Sequence, residues 1–404
     1  DFHETPHLDR LAADGVRFTQ AYAPAPVCSP TRAAILTGKA PARLGITIWS
    51  EGATSGPQNR RLLQADSLPD LPHRERTLAE LFQAQGYLTA TVGKWHLGDA
   101  DHAPETQGFD VNIGGTHWGA PTSFFWPYRG ARSQSGEFRY VPHLEFGEPG
   151  EYLTDRLTQE ALRVVDNAAS KEQPFFLMLS HHAPHTPIEA PEDDTAHFAS
   201  KVTDSLKHRY PVYAAMIRRL DASVGQIRER LRQRSLDDRT VIVFTSDNGG
   251  YIGTTEVNGQ EVPITNNAPL RSGKGSCYEG GLRVPLLINW PGVTRPAAVC
   301  NEPVLLTDLF PTLSRLLPDS QRLATADAID LSPVLRVASS TLRRETLYFH
   351  YPHYYHAPAT TPCGAVRHGD WKLIEHFEDG RFELFHLKDD PGEQHDVSRD
   401  EPAR

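Results

Sequence analysis

Cys28 and Arg32 stand four residues apart in Cys28-Ser29-Pro30-Thr31-Arg32-Ala33-Ala34-Ile35-Leu36-Thr37-Gly38, a stretch with the composition of a short helix. Residues 33–36 favour helix, Pro30 is tolerated only in a first turn, and Gly38 can end the helix in a left-handed cap. Both functional groups then lie near the helix N-terminus, where free N–H groups and the positive end of the dipole favour an anion. A thiol in that field ionises more readily, and a guanidinium beside it can clamp an oxyanion. Alone, Cys28 is more plainly a buried residue at a helix start.

Three further segments carry reactive groups. Lys94 and His96, in Gly93-Lys94-Trp95-His96-Leu97-Gly98, share one side of the chain if it stays extended. A lysine can neutralise an anionic oxygen to which the imidazole hydrogen-bonds, although a surface loop anchored by Trp95 fits the same string. In His181-His182-Ala183-Pro184-His185, His185 is the best candidate to protonate a departing oxygen, with His181 and His182 as close competitors that a structural role suits better. Asp247-Asn248 offers two hard oxygens suited to calcium or magnesium, with an Asx-type turn before Gly249-Gly250 an equal alternative.

The elements around these residues repeat one pattern. Residues 5–12 form a helix with Thr5 as N-cap; residues 77–85, 152–169 and 210–234 are helical and lead into apolar runs at 87–92, 174–180 and 240–246. Helices alternating with wholly apolar strands indicate an α/β fold, a mostly parallel sheet covered on both faces. The reactive segments leave the carboxyl ends of those strands, where open α/β sheets bind ligands. The glycines of Arg271-Ser272-Gly273-Lys274-Gly275-Ser276-Cys277-Tyr278-Glu279-Gly280-Gly281 lack phosphate-loop spacing and indicate close backbone approach. Val304–Leu317 is helical with Pro311 at a break, and residues 318–343 are a connector. From Glu345, short aromatic strands separated by turns predict a small antiparallel sheet.

The Cys-x-Pro-x-Arg string with its small-residue run and Leu-Thr-Gly resembles the signature of the type I sulfatases of the alkaline phosphatase superfamily, with Thr31 where serine is commoner. Gly-Lys-Trp-His-Leu-Gly and Asp-Asn-Gly are similar to further strings of that family, in order, and the resemblance runs through nearly all 404 residues. It implies an alkaline-phosphatase-like catalytic domain over 1–335 and a smaller antiparallel α+β domain over 336–404. The first strand, with two metal-binding aspartates, and the last helix are expected to be missing. It implies formylglycine made from Cys28 by a maturation enzyme, Ca2+ (or Mg2+) on Asp247, Asn248 and residue 28, and catalytic roles for Arg32, Lys94, His96, His185 and Lys274. With half the metal ligands absent, weak or no metal binding is expected. The implied substrates are aryl sulfates and sulfated galactose or N-acetylgalactosamine units of glycans, with Trp49, His117, Trp118 and His350 as sugar-facing candidates.

A net charge of −10 argues against nucleic acid as the main partner, and no apolar run reaches the roughly 20 residues of a membrane span. Export to a periplasmic, secreted or lysosome-like setting is expected. The four cysteines, Cys28, Cys277, Cys300 and Cys363, form no Cys-x-x-Cys pair; one disulfide among the last three is open. Two other functions fit the same residues: a phosphatase, phosphonate or phosphodiester hydrolase of the superfamily, and a non-catalytic glycan-binding homologue.

Overall fold

The computed structural model describes the chain except residues 1, 55–58, 132–135, 204–205, 207, 258–259, 319–324, 357–358 and 402–404. In chain order the principal elements are α1 (Pro6–Asp14), β1 (Val16–Tyr22), α2 (Cys28–Thr37), α3 (Leu78–Gln83), β2 (Leu88–Gly93), β3 (Val111–Ile113), α4 (Leu153–Ser170), β4 (Phe175–Ser180) and α5 (Pro211–Gln233). There follow β5 (Ile242–Thr245), β6 (Arg283–Asn289), β7 (Ala298–Cys300), β8 (Val304–Leu305), β9 (Thr346–Tyr351), β10 (Cys363–His368), β11 (Trp371–His376) and β12 (Arg381–His386). This is the α/β architecture the sequence predicts, and it divides into two compact units.

The first unit comprises Asp1–Gly15, Asp70–Ile242 and Ile288–Pro296. Its sheet has the order β3-β2-β4, all parallel, with buried β2 in the middle. Thr77 caps α3 with a full capping box, Glu80 returning a carboxylate to the Thr77 N–H at 2.8 Å. The expected Thr5 cap does not form. Asp221 on α5 instead accepts the N–H groups of His7 and Leu8 at 3.1 and 2.8 Å, because a carboxylate suits a helix N-terminus better than a hydroxyl.

The second unit comprises Val16–Pro69, Val243–Leu287 and Ala297–Arg404. One of its sheets has the order β7-β1-β6-β5, with β8 also paired to β1. Another is the antiparallel meander β9-β10-β11-β12. Alternate residues Leu347, Phe349 and Tyr351 of β9 enter a core shared with Tyr22, Val27, Cys277 and Leu282, so this meander packs behind the segment that carries Cys28. The predicted helix over 304–317 is broken into β8, a 3₁₀ turn and the short helix Leu309–Leu313. β4 and β5 end their sheets among the described residues, and their apolar residues are partly buried along both strands.

Candidate active site

α2 begins at Cys28 and closes at Gly38, which takes φ 68° and donates its N–H to Ala34 O at 2.8 Å. A Cβ at Gly38 would also stand 2.9 Å from the Phe310 side chain, so both conformation and packing require glycine. Thr31 fixes the lead-in by donating Oγ1 to Ala25 O at 3.0 Å. Cys28 and Arg32 are both buried.

The glycine-rich loop reaches this helix start through its backbone. Gly275 N donates to Pro26 O at 2.8 Å, Lys274 N to Gly250 O at 3.0 Å and Gly249 N to Gly281 O at 3.0 Å. Gly275 has φ 86°, and a Cβ there would fall 2.1 Å from the Tyr355 ring. These glycines serve close approach, as their spacing predicts.

The loop thereby sets the buried Lys274 Nζ 3.3 Å from Cys28 Sγ, while Arg32 Nη1 lies 4.0 Å from Asp247 Oδ2. Burial opposes charge on Lys274, but Cys28, Tyr355 and Asp247 outweigh it and raise the ammonium above the ordinary lysine range. Burial lowers the pKa of Arg32 against the pull of Asp247 and Cys28, yet a guanidinium stays charged in a protein. Two buried cations and one carboxylate around the Cys28 sulfur make a site that attracts an anion. Tyr355, which sequence reasoning missed, is pushed up to about 12 by burial and Cys28 against Lys274. The only signal for it was the aromatic run at 349–355.

Asn248 Nδ2 donates to Gly249 O at 2.9 Å, and its Oδ1 is buried with no hydrogen-bond partner. An orphaned buried oxygen next to the Asp247 carboxylate fits a hard divalent cation.

In the first unit, Gly93 of β2 pairs with Ser180 of β4, so residues 94–98 and 181–187 leave one sheet at one level. Lys94 N donates to Ser180 O and His96 N to Thr116 O, each at 2.8 Å, and both side chains are buried. His96 takes φ 59°, so the chain does not continue extended through this segment. Trp95 is fully buried and donates Nε1 to His102 O at 2.9 Å, anchoring the turn. His185 Nδ1 lies 3.1 Å from Thr186 Oγ1. His181 Nε2 lies 2.8 Å from Ser223 Oγ, which also takes the Thr158 hydroxyl, and burial lowers its pKa to about 4.

The sugar-facing candidates fall in several places. The His117 and Trp118 rings lie 4.6 Å apart in the first unit, and Trp118 donates to Glu137 at 2.9 Å. In the second unit Trp49 meets Tyr355 edge-on at 5.7 Å. His350 is on the face of β9 opposite Tyr351 and lines an apolar cleft with Pro24 and Pro41. Also in the first unit, Asp70, Asp99 and His102 bring donor atoms within 4.8 Å of one another, a grouping no spacing rule had flagged.

Comparison with known proteins places the chain as a whole. The family model described as Sulfatase matches residues 1–320, and that described as N-sulphoglucosamine sulphohydrolase, C-terminal, matches residues 273–404. Steryl-sulfatase of Mus musculus is 32% identical over 416 residues, covering 86% of this chain and 63% of that protein. N-acetylgalactosamine-6-sulfatase of Homo sapiens is 31% identical over 440 residues, covering 98% and 77%. The crystal structure of Ps i-CgsB superposes with a TM-score of 0.78 at 31% identity, covering 99% of this chain and 84% of that one; a second structure is its complex with k-i-k-neocarrahexaose. The chain thus spans less than two thirds of the length of the mouse steryl-sulfatase.

Proposed function

Because this chain belongs to the sulfatase family, we propose that it hydrolyses sulfate esters at Cys28 and that its natural substrates are sulfated galactose or N-acetylgalactosamine-type glycans. The observation that carries the reading is the Lys274 ammonium 3.3 Å from the Cys28 sulfur, both buried, with Arg32 on the same helix. Converted to formylglycine by a maturation enzyme, residue 28 supplies an aldehyde hydrate, one hydroxyl able to attack sulfur and the other able to expel sulfate. Lys274 and Arg32 hold the anionic SO3 group and balance the negative charge that grows on its oxygens. The family resemblance further assigns Lys94 and His96 to the nucleophile's oxygen and His185 to protonation of the leaving alcohol oxygen. The reaction consumes one water and releases an alcohol and sulfate.

Asp247 and the orphaned Oδ1 of Asn248 would hold a divalent cation, Ca2+ or Mg2+, which supplies Lewis-acid polarisation of the sulfate. β5, whose end leads to Asp247, is the last strand of its sheet among the described residues, and the further metal-binding aspartates are what the family resemblance implies. The glycan reading is supported by the relatives' names and by the aromatic residues Trp49, Trp118 and Tyr355; export is part of the same proposal. No described helix is long and apolar enough to cross a membrane. The test is turnover of an aryl sulfate against the matching aryl phosphate by protein co-produced with a formylglycine-generating enzyme. Faster sulfate turnover is expected, and equal or faster phosphate turnover would overturn the assignment.

A further inference from the structure

Cys277 and Cys363 are 86 residues apart in sequence, and their sulfur atoms lie 2.7 Å apart in the interior of the second unit. Each is 1% exposed, among Tyr351, Tyr355, Phe385 and Leu282. Cys363 opens β10, where it pairs with Tyr351 on one side and His376 on the other, so its backbone is held by two neighbouring strands. Cys277 sits in the glycine-rich loop, three residues after Lys274 and two before Glu279. Neither sulfur belongs to a group of metal-ligating side chains among the described residues. The Cys277 thiol is pushed well above its ordinary range, first by its contact with Cys363 and then by burial, which disfavours the thiolate a nucleophile needs. Cys300, on β7, is the third cysteine outside the Cys28 segment; all four cysteines carry free sulfurs in the structure.

We infer that Cys277 and Cys363 form a disulfide that ties the loop carrying Lys274 to strand β10. Two S–H bonds break and one S–S bond forms, with two protons and two electrons passing to a disulfide oxidant, a small-molecule disulfide or a dithiol oxidoreductase, which is reduced to two thiols. Because both sulfurs are closed off from solvent in the folded chain, the bond forms before the core closes. Its part in holding Lys274 rests on the function proposed above; the existence of the bond does not.

The test is peptide mapping of the protein refolded from the reduced state with oxidised glutathione, then denatured and alkylated without reductant. The expected result is one pair of peptides, containing Cys277 and Cys363, joined and lighter by two hydrogens, separating on reduction, with Cys300 alkylated. Alkylation of both Cys277 and Cys363, or a bond from either to Cys300, would overturn the inference. As a second measurement, reductant should lower the urea midpoint of the oxidised wild type and leave that of Cys363→Ser unmoved. An equal response in the two proteins would also overturn it. Neither measurement uses sulfatase activity, so failure of the proposed function leaves both readable.

Discussion

The ammonium of Lys372 lies 2.9 Å from the carboxylate of Glu279, and neither side chain touches solvent. Lys372 also reaches Glu393 at 2.8 Å, and Tyr22 donates its hydroxyl to Glu279 at 2.7 Å. Burial works against charge on Lys372, but the two carboxylates prevail and raise its pKa. Glu279 lies five residues beyond Lys274, so this network anchors the loop from the side of the meander. Lys372→Met would leave Glu393 buried without its cation and Glu279 with only the longer contact to Arg283 at 3.6 Å. It is expected to lower stability by about 3–5 kcal/mol, measured by urea unfolding.

Gly275→Ala tests how the loop is held. The substitution imposes a side chain at φ 86° and drives a methyl group into the Tyr355 ring. A loss of about 1–3 kcal/mol and a fall in kcat are expected as Lys274 is displaced. Adding Tyr355→Ala should recover part of the stability, because the two changes share one contact. Strictly additive losses would contradict the packing described.

His353 sets an acid limit. It is fully buried with Nε2 2.8 Å from Thr47 Oγ1, and burial, aided by His350, lowers its pKa from 6.5 to about 4. Between those two values the unfolded chain binds a proton that the folded chain does not, so stability falls as pH drops from 6.5 towards 4 and then levels. The contribution is about 3 kcal/mol. His353→Gln should make this part of the profile less steep, the remainder coming from His181 and His3, which burial lowers in the same way, and thermal unfolding across pH 4–7 would reveal the difference.

Lys274→Met removes one of the two buried cations near Cys28. A fall of about 100-fold in kcat/KM is expected, with weaker inhibition by inorganic sulfate, while the unfolding midpoint moves little relative to Lys372→Met. Unchanged sulfate inhibition would place the anion elsewhere.

The helices and strands of the first unit are legible because their patterns are strong: 153–170 and 211–233 carry helical spacing, β4 is apolar from Phe175 to Leu179, and β2 is rich in strand-forming residues. β1 is not legible, because Arg17, Thr19 and Gln20 interrupt its apolar residues and the alternation ends where the adjacent Ala21 and Tyr22 are both buried. The residues of Cys28, Lys94 and Asp247 are recognisable as local strings. Tyr355, Glu279 and the Cys277 and Cys363 pair are not, since each acquires its meaning from a partner more than 80 residues away: Lys274 for Tyr355, Lys372 for Glu279. The helix expected over 304–317 shows the reverse, a periodic pattern overridden when Val304 and Leu305 pair with Ala21 and Tyr22.

Residue 28 is proposed to perform the chemistry as a modified cysteine. The most direct measurement is the mass of the peptide containing residue 28 in active protein, paired with the turnover count of Cys28→Ser on an aryl sulfate. The wild-type peptide is expected to have lost its sulfur to an aldehyde, and the serine variant to stop after at most one sulfate per molecule. An unmodified thiol in fully active protein, or many rapid turnovers by Cys28→Ser, would contradict it.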